Sequence, residues 1–138
     1  MGGYLSSFLG GGSTAAPDSC SSSAQPSSVT EFHSTKNWQL HFNAVKKSNK
    51  LIVIDFSASW CGPCKLFEPA FHDMSIKYTD ADFVKIDVDE LKEVAKGFEV
   101  KAMPTFVLVK NGKEVDRVVG AKKDELEKKV KEHYSSKP

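Results

Sequence analysis

Two cysteines separated by two residues, Cys61 and Cys64, are the side chains of this sequence best placed to react with each other. They follow a short apolar run, residues 51–56, whose β-branched side chains favour a buried strand. If a helix begins near Gly62, Cys61 lies at its N-terminus, where free N–H groups and the helix dipole stabilise a thiolate. We therefore expect Cys61 to be a nucleophile and Cys64, one turn into the helix, to be its disulfide partner.

A carboxylate interrupts the apolar run at Asp55. A buried acid must be hydrogen-bonded, protonated or functional, because burial disfavours its charge. We expect burial to raise the pKa of Asp55, which suits a proton acceptor for Cys64. Lys85, on a later strand, would oppose that rise if it lies close. Two alternatives to these functional roles stay open. Asp55 would then be only a hydrogen-bonded carboxylate, and Lys85 an ordinary lysine at a strand edge.

Apolar spacing and turn residues predict elements in the order β-α-β-α-β-α-β-β-α. The strands are predicted near residues 29–32, 51–56, 83–88, 105–109 and 114–119, and the helices near 34–48, 62–78, 90–98 and 122–134. Helices between the early strands require parallel pairing, and Asn111-Gly112 predicts a tight antiparallel hairpin. The prediction is an α/β fold with a mixed central sheet of about five strands, flanked by four helices.

The second predicted helix carries one apolar stripe that we expect to be buried. Its members are Leu66, Phe67, Ala70, Phe71, Met74 and Tyr78. Trp38 in the first helix is predicted to be core, and Asp89 is predicted to cap the third helix. This arrangement places Cys61 at the carboxyl end of a central strand, where open α/β sheets usually carry their sites.

The composition argues for one domain and against several functional classes. The chain has 138 residues, and 40% of them are hydrophobic, which can supply a core. A net charge of +1, with acids and lysines interleaved on the last helix, gives no reason to expect nucleic-acid binding. Three cysteines are too few for a disulfide scaffold, and no second cysteine pair completes a zinc site, so no metal is expected. No apolar run reaches about 18 residues, so no membrane span is expected.

The segment Trp60-Cys61-Gly62-Pro63-Cys64 resembles the active site of the thioredoxin family. Asp55 resembles the family's buried carboxylate, Lys85 its lysine neighbour, and Met103-Pro104-Thr105 its cis-proline loop. The resemblance covers about residues 29–134 without an evident gap. More narrowly, the chain is similar to plant h-type thioredoxins of subgroup II, which carry a Met-Gly-Gly N-terminal extension.

The resemblance implies the thioredoxin fold and a protein-disulfide reductase acting through a Cys-Gly-Pro-Cys site. Cys61 would attack, Cys64 would resolve the mixed disulfide, and the bond before Pro104 would be cis. The residues implied in docking partner proteins are Trp60, Gly62, Pro63, Met103 and Pro104. No cofactor would be bound. Electrons would come from NADPH through thioredoxin reductase, with glutathione or glutaredoxin as other donors. Disulfide-containing proteins would be the clients, and the chain would be mainly a monomer.

Other interpretations of the cysteine pair stay open. An oxidase or isomerase of the same fold would suit a secreted chain and a histidine between the cysteines, and this sequence shows neither feature. A membrane-tethered binding or holdase module, whose dithiol only switches affinity, is the alternative to an enzyme. Zinc ligation is a weaker alternative, because a structural zinc site needs four ligands and the sequence has no second pair. A merely structural bridge is also weaker, because so small a loop constrains the unfolded chain little.

Residues 1–28 are rich in Ser and Gly and are predicted to be a disordered extension, with the thioredoxin domain at residues 29–138. The first six residues fit the pattern for myristoylation of Gly2. One acyl chain gives only marginal, reversible membrane binding, so a second signal, such as palmitoylation of Cys20, would be needed. We expect a cytoplasmic location with peripheral association to endomembranes or the plasma membrane; a mitochondrial location is the alternative.

Overall fold

The computed structural model describes residues 28–134, so Gly2, Cys20 and the predicted disorder of the extension lie outside the described part. The elements are β1 (Val29–Phe32), α1 (Thr35–Val45), β2 (Ile52–Ser57), α2 (Gly62–Lys77), β3 (Asp82–Asp87), α3 (Lys92–Gly97), β4 (Thr105–Lys110), β5 (Lys113–Val119) and α4 (Lys123–His133). Their order confirms the sequence prediction. The division of the chain between residues 28 and 29 stays a prediction.

The five strands form one mixed sheet in the order β1-β3-β2-β4-β5. Strands β1, β3 and β2 pair in parallel, whereas β4 runs antiparallel to β2 and β5 runs antiparallel to β4. The predicted α/β fold with a mixed sheet is therefore confirmed. Strand β2 lies in the middle, and all six of its residues are buried because the sheet is covered on both faces.

The alternation of side chains along β2 decides which way its carboxylate points, because successive residues face opposite sides of the sheet. Val53 belongs to a core cluster that includes Phe71 of α2. Ile54 belongs to a second cluster, which includes Trp38 of α1 and confirms Trp38 as a core residue. Asp55 follows Val53 by two residues, so its carboxylate points to the α2 side of the sheet.

The hairpin between β4 and β5 is the turn that the sequence predicts. Asn111 and Gly112 have φ angles of 55° and 80°. Positive φ at both central residues gives a turn whose twist matches the flanking strands. Lys110 and Lys113 pair across it, which confirms the predicted antiparallel return.

The helices of the described part are short, and α2 with 16 residues is the longest of them. Between residues 28 and 134, no helix combines the length and the hydropathy that crossing a bilayer requires. Helix α1 begins at Thr35, close to the predicted start near residue 34. Its N-cap is Ser34, whose hydroxyl oxygen accepts the N–H of Asn37 at 3.2 Å.

The predicted burial of Leu66 on α2 is wrong. Leu66 is 85% exposed, whereas its neighbour Phe67 is buried. Ser75, which is buried, follows Leu66 by about two and a half helical turns and therefore lies on the opposite side of the helix. The stripe that packs against the sheet is centred on Phe67 and Phe71, and Leu66 falls outside it.

The predicted cap at Asp89 is also wrong. Helix α3 begins at Lys92, and Asp87 holds the turn before it. The Asp87 carboxylate accepts the N–H groups of Asp89 and Glu90 at 2.8 and 3.3 Å. An aspartate two residues earlier thus forms the side-chain turn, because its carboxylate reaches the backbone N–H groups that follow it.

Candidate active site

Cys61 and Cys64 form a disulfide at the first turn of α2, with their Cα atoms 5.3 Å apart. Cys61 has an extended backbone and is the N-cap of the helix, and Pro63 occupies the first turn, where a missing N–H costs no helix bond. The N–H of Cys64 points at the Cys61 sulfur, 3.2 Å away. The same N–H would stabilise a Cys61 thiolate once the bridge is reduced.

The two cysteines are almost equally buried, at 4% and 3% exposure. Both sulfurs of the oxidised pair belong to one small apolar cluster with Ala58, and Val88 and Met103 pack against it. In this state the cysteines differ by their place on the helix and not by their exposure.

The loop before β4 confirms the cis bond that the family resemblance implies, between Met103 and Pro104. The Pro104 carbonyl accepts the N–H of Gly120 at 2.8 Å. The Thr105 hydroxyl donates to the Ala102 carbonyl at 2.6 Å. These bonds fix the loop at the start of β4 and hold Met103 against the cysteine cluster.

Apolar side chains surround the disulfide on the outer surface. Trp60 is 66% exposed, and its indole N–H donates to the Asp89 carboxylate at 2.9 Å. Gly62 and Pro63 are exposed, and a Cβ added at Gly62 would have no described heavy atom within 4 Å beyond its chain neighbours and the helix backbone. A partner chain can therefore approach Cys61 from the Gly62 side.

Leu66 and Asp89 belong to this surface, and sequence reasoning gave both of them other roles. Leu66 follows Pro63 by three residues, so it lies next to Pro63 on the same helix face. The three-residue spacing in the sequence predicts that the two side chains are neighbours. Leu66 therefore extends the exposed apolar surface along α2. No local pattern links Asp89 to Trp60, because their contact joins two loops that lie 29 residues apart in the chain.

Asp55 lies in β2, six residues before Cys61, and is 3% exposed. Among the described residues, its Oδ1 has no hydrogen-bond partner. Burial raises the pKa of Asp55 to about 7, Lys85 opposes that rise, and Glu68 and Glu31 add to it. Lys85 pairs in register with Asp55 between β3 and β2. The predicted direction of the pKa shift and the opposing effect of Lys85 are thus confirmed.

Two adjoining cavities connect Asp55 and Cys64 to the surface. A cavity of about 260 Å³ is lined by Val29, Glu31, Asp55, Glu68, Phe71, His72 and Lys85. A second cavity of about 210 Å³ reaches Cys64 and shares three of these residues, Glu31, Glu68 and Lys85. Both are roomy and polar enough to hold water. Lys85 therefore lines both cavities, together with Asp55 in the first and with Cys64 in the second.

One cluster in residues 28–134 has the side-chain types of a metal site, and it lies away from the cysteines. Ligand atoms of Asp116, Glu132 and His133 lie within 4.8 Å of one another. The Asp116 carboxylate is bound by the Lys129 ammonium at 2.9 Å and by His133 at 3.1 Å. A lysine held there works against a bound cation, because like charges repel.

The fold and the cysteine pair define a dithiol–disulfide oxidoreductase, and comparisons with known proteins identify its family. The thioredoxin family model matches residues 29–132. Thioredoxin H2 of Arabidopsis thaliana is 62% identical over 130 residues, covering 94% of this chain and 96% of that protein. Thioredoxin H2-2 of Oryza sativa subsp. japonica is 54% identical over 137 residues, covering 99% and 98%.

A solved structure agrees with these matches. The crystal structure of Thioredoxin NaTrxh from Nicotiana alata is 66% identical, with a TM-score of 0.79, and covers 83% of this chain and 100% of that one. The chain belongs to the thioredoxin family. All three relatives are plant proteins, and the Arabidopsis and Oryza proteins are h-type thioredoxins.

Proposed function

We propose that this protein reduces disulfides in partner proteins through Cys61 and Cys64 and is recharged by an NADPH-dependent thioredoxin reductase. The observation that carries the proposal is the disulfide at the first turn of α2, in contact with the cis-proline loop. Membership of the thioredoxin family supports the reductase partner and the class of client. No bound cofactor is needed, because the two sulfurs carry the electrons.

The proposed reaction moves two electrons from the cysteine pair to the client. The Cys61 thiolate attacks one sulfur of the client disulfide, forms a mixed disulfide and expels the other client sulfur as a thiolate. Cys64 loses its proton and attacks the Cys61 sulfur. The Cys61–Cys64 bond forms, the second client sulfur leaves, and both client thiolates take protons from water.

Asp55 is the proposed proton acceptor for Cys64. A base works best when its pKa lies near the working pH, and burial brings the pKa of Asp55 to about 7. The adjoining cavities offer a polar route for the proton through water, because Asp55 lines one and Cys64 lines the other. In this mechanism Asp55 acts on the resolving step and not on the first attack.

The exposed apolar surface around Cys61 is proposed to dock the client. It consists of Trp60, Gly62, Pro63 and Met103, and Leu66 extends it along α2. Pro104, which the family resemblance implies in docking, is buried, so it contributes by shaping the loop that carries Met103. The backbone near Met103 precedes β4 and would pair with an extended client segment, as in strand addition. The contact between Trp60 and Asp89 keeps the indole beside the cysteines.

A coupled assay tests the reductase function directly. The full chain is mixed with NADPH, a plant thioredoxin reductase and insulin, and NADPH oxidation and insulin precipitation are followed together. We expect both to depend on this protein and on the reductase, and we expect a reducing redox potential that separates it from an oxidase or isomerase. Failure to reduce insulin even when dithiothreitol supplies the electrons would contradict the function; reduction only with glutathione and glutaredoxin would change the donor.

We propose further that Gly2 is myristoylated and that the protein is cytoplasmic and peripherally membrane-associated. The motif at the first six residues supports this proposal. The match to the Arabidopsis relative covers 94% of the chain and therefore extends beyond residues 29–132, which the family model matches. One acyl chain binds membranes reversibly, so a second signal, such as Cys20 palmitoylation, would strengthen the association.

Gly2→Ala is expected to move the protein from the membrane fraction to the supernatant of plant cells, because alanine cannot be acylated by this route. Gly3→Ala is the matched control, since it leaves the acceptor glycine in place. The mass of the N-terminal tryptic peptide, which ends at Lys36, reports the acyl group directly. An unmodified Gly2 in protein from native tissue, or equal membrane association of Gly2→Ala and Gly3→Ala, would rule out acylation.

A further inference from the structure

The cavity beside Asp55 contains an ion pair that the exchange reaction alone does not explain. Lys85 stands opposite Asp55 in the register between β3 and β2. Its ammonium nevertheless contacts Glu68, with Nζ 2.7 Å from Oε2. Within residues 28–134, Asp55 Oδ1 has no hydrogen-bond partner. The lysine therefore stands between two carboxylates and binds the outer, more exposed one.

The choice of partner matters because an ammonium bound to Asp55 would favour the charged carboxylate. A carboxylate paired in this way is a weaker base, since opposite charge and hydrogen bonding both stabilise its ionised form. Glu68 follows Cys64 by four residues, so it lies one turn along the same side of α2. The helix that carries Cys64 thus also carries the carboxylate that holds Lys85.

We propose that Glu68 is a positioning residue for disulfide exchange, whose carboxylate keeps the Lys85 ammonium away from Asp55 so that Asp55 can take the Cys64 proton near neutral pH. This proposal rests on the reductase function and on the role of Asp55 given above. Glu68 itself touches neither the client nor the sulfur atoms that react. It acts through Lys85, and its effect is therefore on the resolving step.

The charged and titratable groups that face Asp55 come from three elements of the described part. They are Lys85 from β3, Glu68 and His72 from α2, and Glu31 from β1. Glu31 pairs in register with Lys85 between β1 and β3. It carries the same charge as Glu68 and lines the same cavity, whereas Glu68 makes the contact with the ammonium. Glu31 is therefore the matched control for charge without that contact.

The direct test is the titration of the Asp55 carboxyl group by carbon NMR in the reduced full-length protein. Glu68→Gln is expected to lower the Asp55 pKa by about one unit, because the freed ammonium moves toward Asp55. Glu31→Gln is expected to lower it less. An unchanged pKa in Glu68→Gln would overturn the proposal. Equal shifts in both variants would overturn it too, because they would make Glu68 a remote charge only.

A double-mutant cycle with Lys85→Met tests whether Glu68 acts through the lysine. In the Lys85→Met background there is no ammonium to release, so Glu68→Gln should shift the Asp55 pKa much less than in the wild-type background. An equal shift in the two backgrounds would overturn the positioning role. Both Glu68 and Lys85 reach the surface, so the variants are expected to fold, and the backbone amide spectrum checks this in the same samples.

The kinetic counterpart is the pH profile of the resolving step in single turnovers. The rate should rise with pH as Asp55 ionises, and in Glu68→Gln the rise should move to lower pH by the same amount as the NMR titration. A profile that stays in place although the NMR titration moves would mean that Asp55 is not the proton acceptor, which contradicts the proposed mechanism and leaves the Glu68–Lys85 contact intact. The carboxyl titration needs no activity, so the two failures are distinguishable.

Discussion

Cys61→Ser is expected to reduce the rate of insulin reduction to the uncatalysed background, whereas Cys64→Ser is expected to stop the reaction halfway. Cys61 lies at the N-terminus of α2, where the Cys64 N–H points at its sulfur, so Cys61 is the sulfur that the helix activates. A serine at Cys61 leaves no thiolate there. A serine at Cys64 leaves the attacking thiolate intact but removes the group that releases the client.

The two variants are distinguished by what accumulates. Cys64→Ser should form a mixed disulfide with the client that is visible on a non-reducing gel and lost with dithiothreitol. Cys61→Ser should not form it. Both are made in a Cys20→Ser background, so that the third cysteine cannot form a bridge of its own. A Cys61→Ser protein that keeps more than about a hundredth of the wild-type rate would contradict the assignment of the nucleophile.

Asp55→Asn is expected to stabilise the oxidised protein at pH 8 by roughly 2–4 kcal/mol. Burial raises the pKa of Asp55 in the folded protein from 3.8 to about 7. Between these values the folded state holds a proton that the unfolded state has lost, so stability falls as pH rises and levels off above about 7. At 1.36 kcal/mol per pKa unit, the wild-type cost at alkaline pH is roughly 4 kcal/mol.

The check is denaturant unfolding of the oxidised proteins at pH 4, 6 and 8. The stability difference between Asp55→Asn and wild type should grow with pH and be small at pH 4, where the carboxyl is protonated in the folded state and half protonated in the unfolded state. Asp73→Asn, which changes an exposed carboxylate of α2, is the control and should show no such trend. Wild type and Asp55→Asn curves that run parallel across the pH range would contradict the raised pKa.

Local sequence patterns predict most helices, strands and turns of this fold. The features that the sequence does not predict depend on contacts between elements that are distant in the chain. Asn111-Gly112 predicts its hairpin because positive φ is a local preference. The cis bond before Pro104 comes from the family resemblance, since no local rule decides between the cis and trans forms. Leu66 is misjudged because residue type does not say which side of a helix meets the sheet.

The candidate site divides in the same way. Cys61 and Cys64 are recognisable because two residues and a helix start bring the sulfurs together. Asp55 is recognisable because a single acid in a buried apolar strand is costly unless it is hydrogen-bonded, protonated or functional. The Glu68 contact with Lys85 joins α2 to β3, and the Trp60 contact with Asp89 joins two loops. Pairs of this kind follow from the tertiary fold and have no fixed spacing in the chain.

The position of β2 in the middle of the sheet has a consequence for how the molecule opens. Its backbone is bonded to β3 on one side and β4 on the other, and all six of its residues are buried. Amide hydrogens in such a strand exchange with solvent mainly through global unfolding, whereas the four-residue edge strand β1 can open locally. The cysteine pair is therefore attached directly to the slowest-opening strand. Local opening of the edge strand β1 is therefore expected to leave the redox site folded.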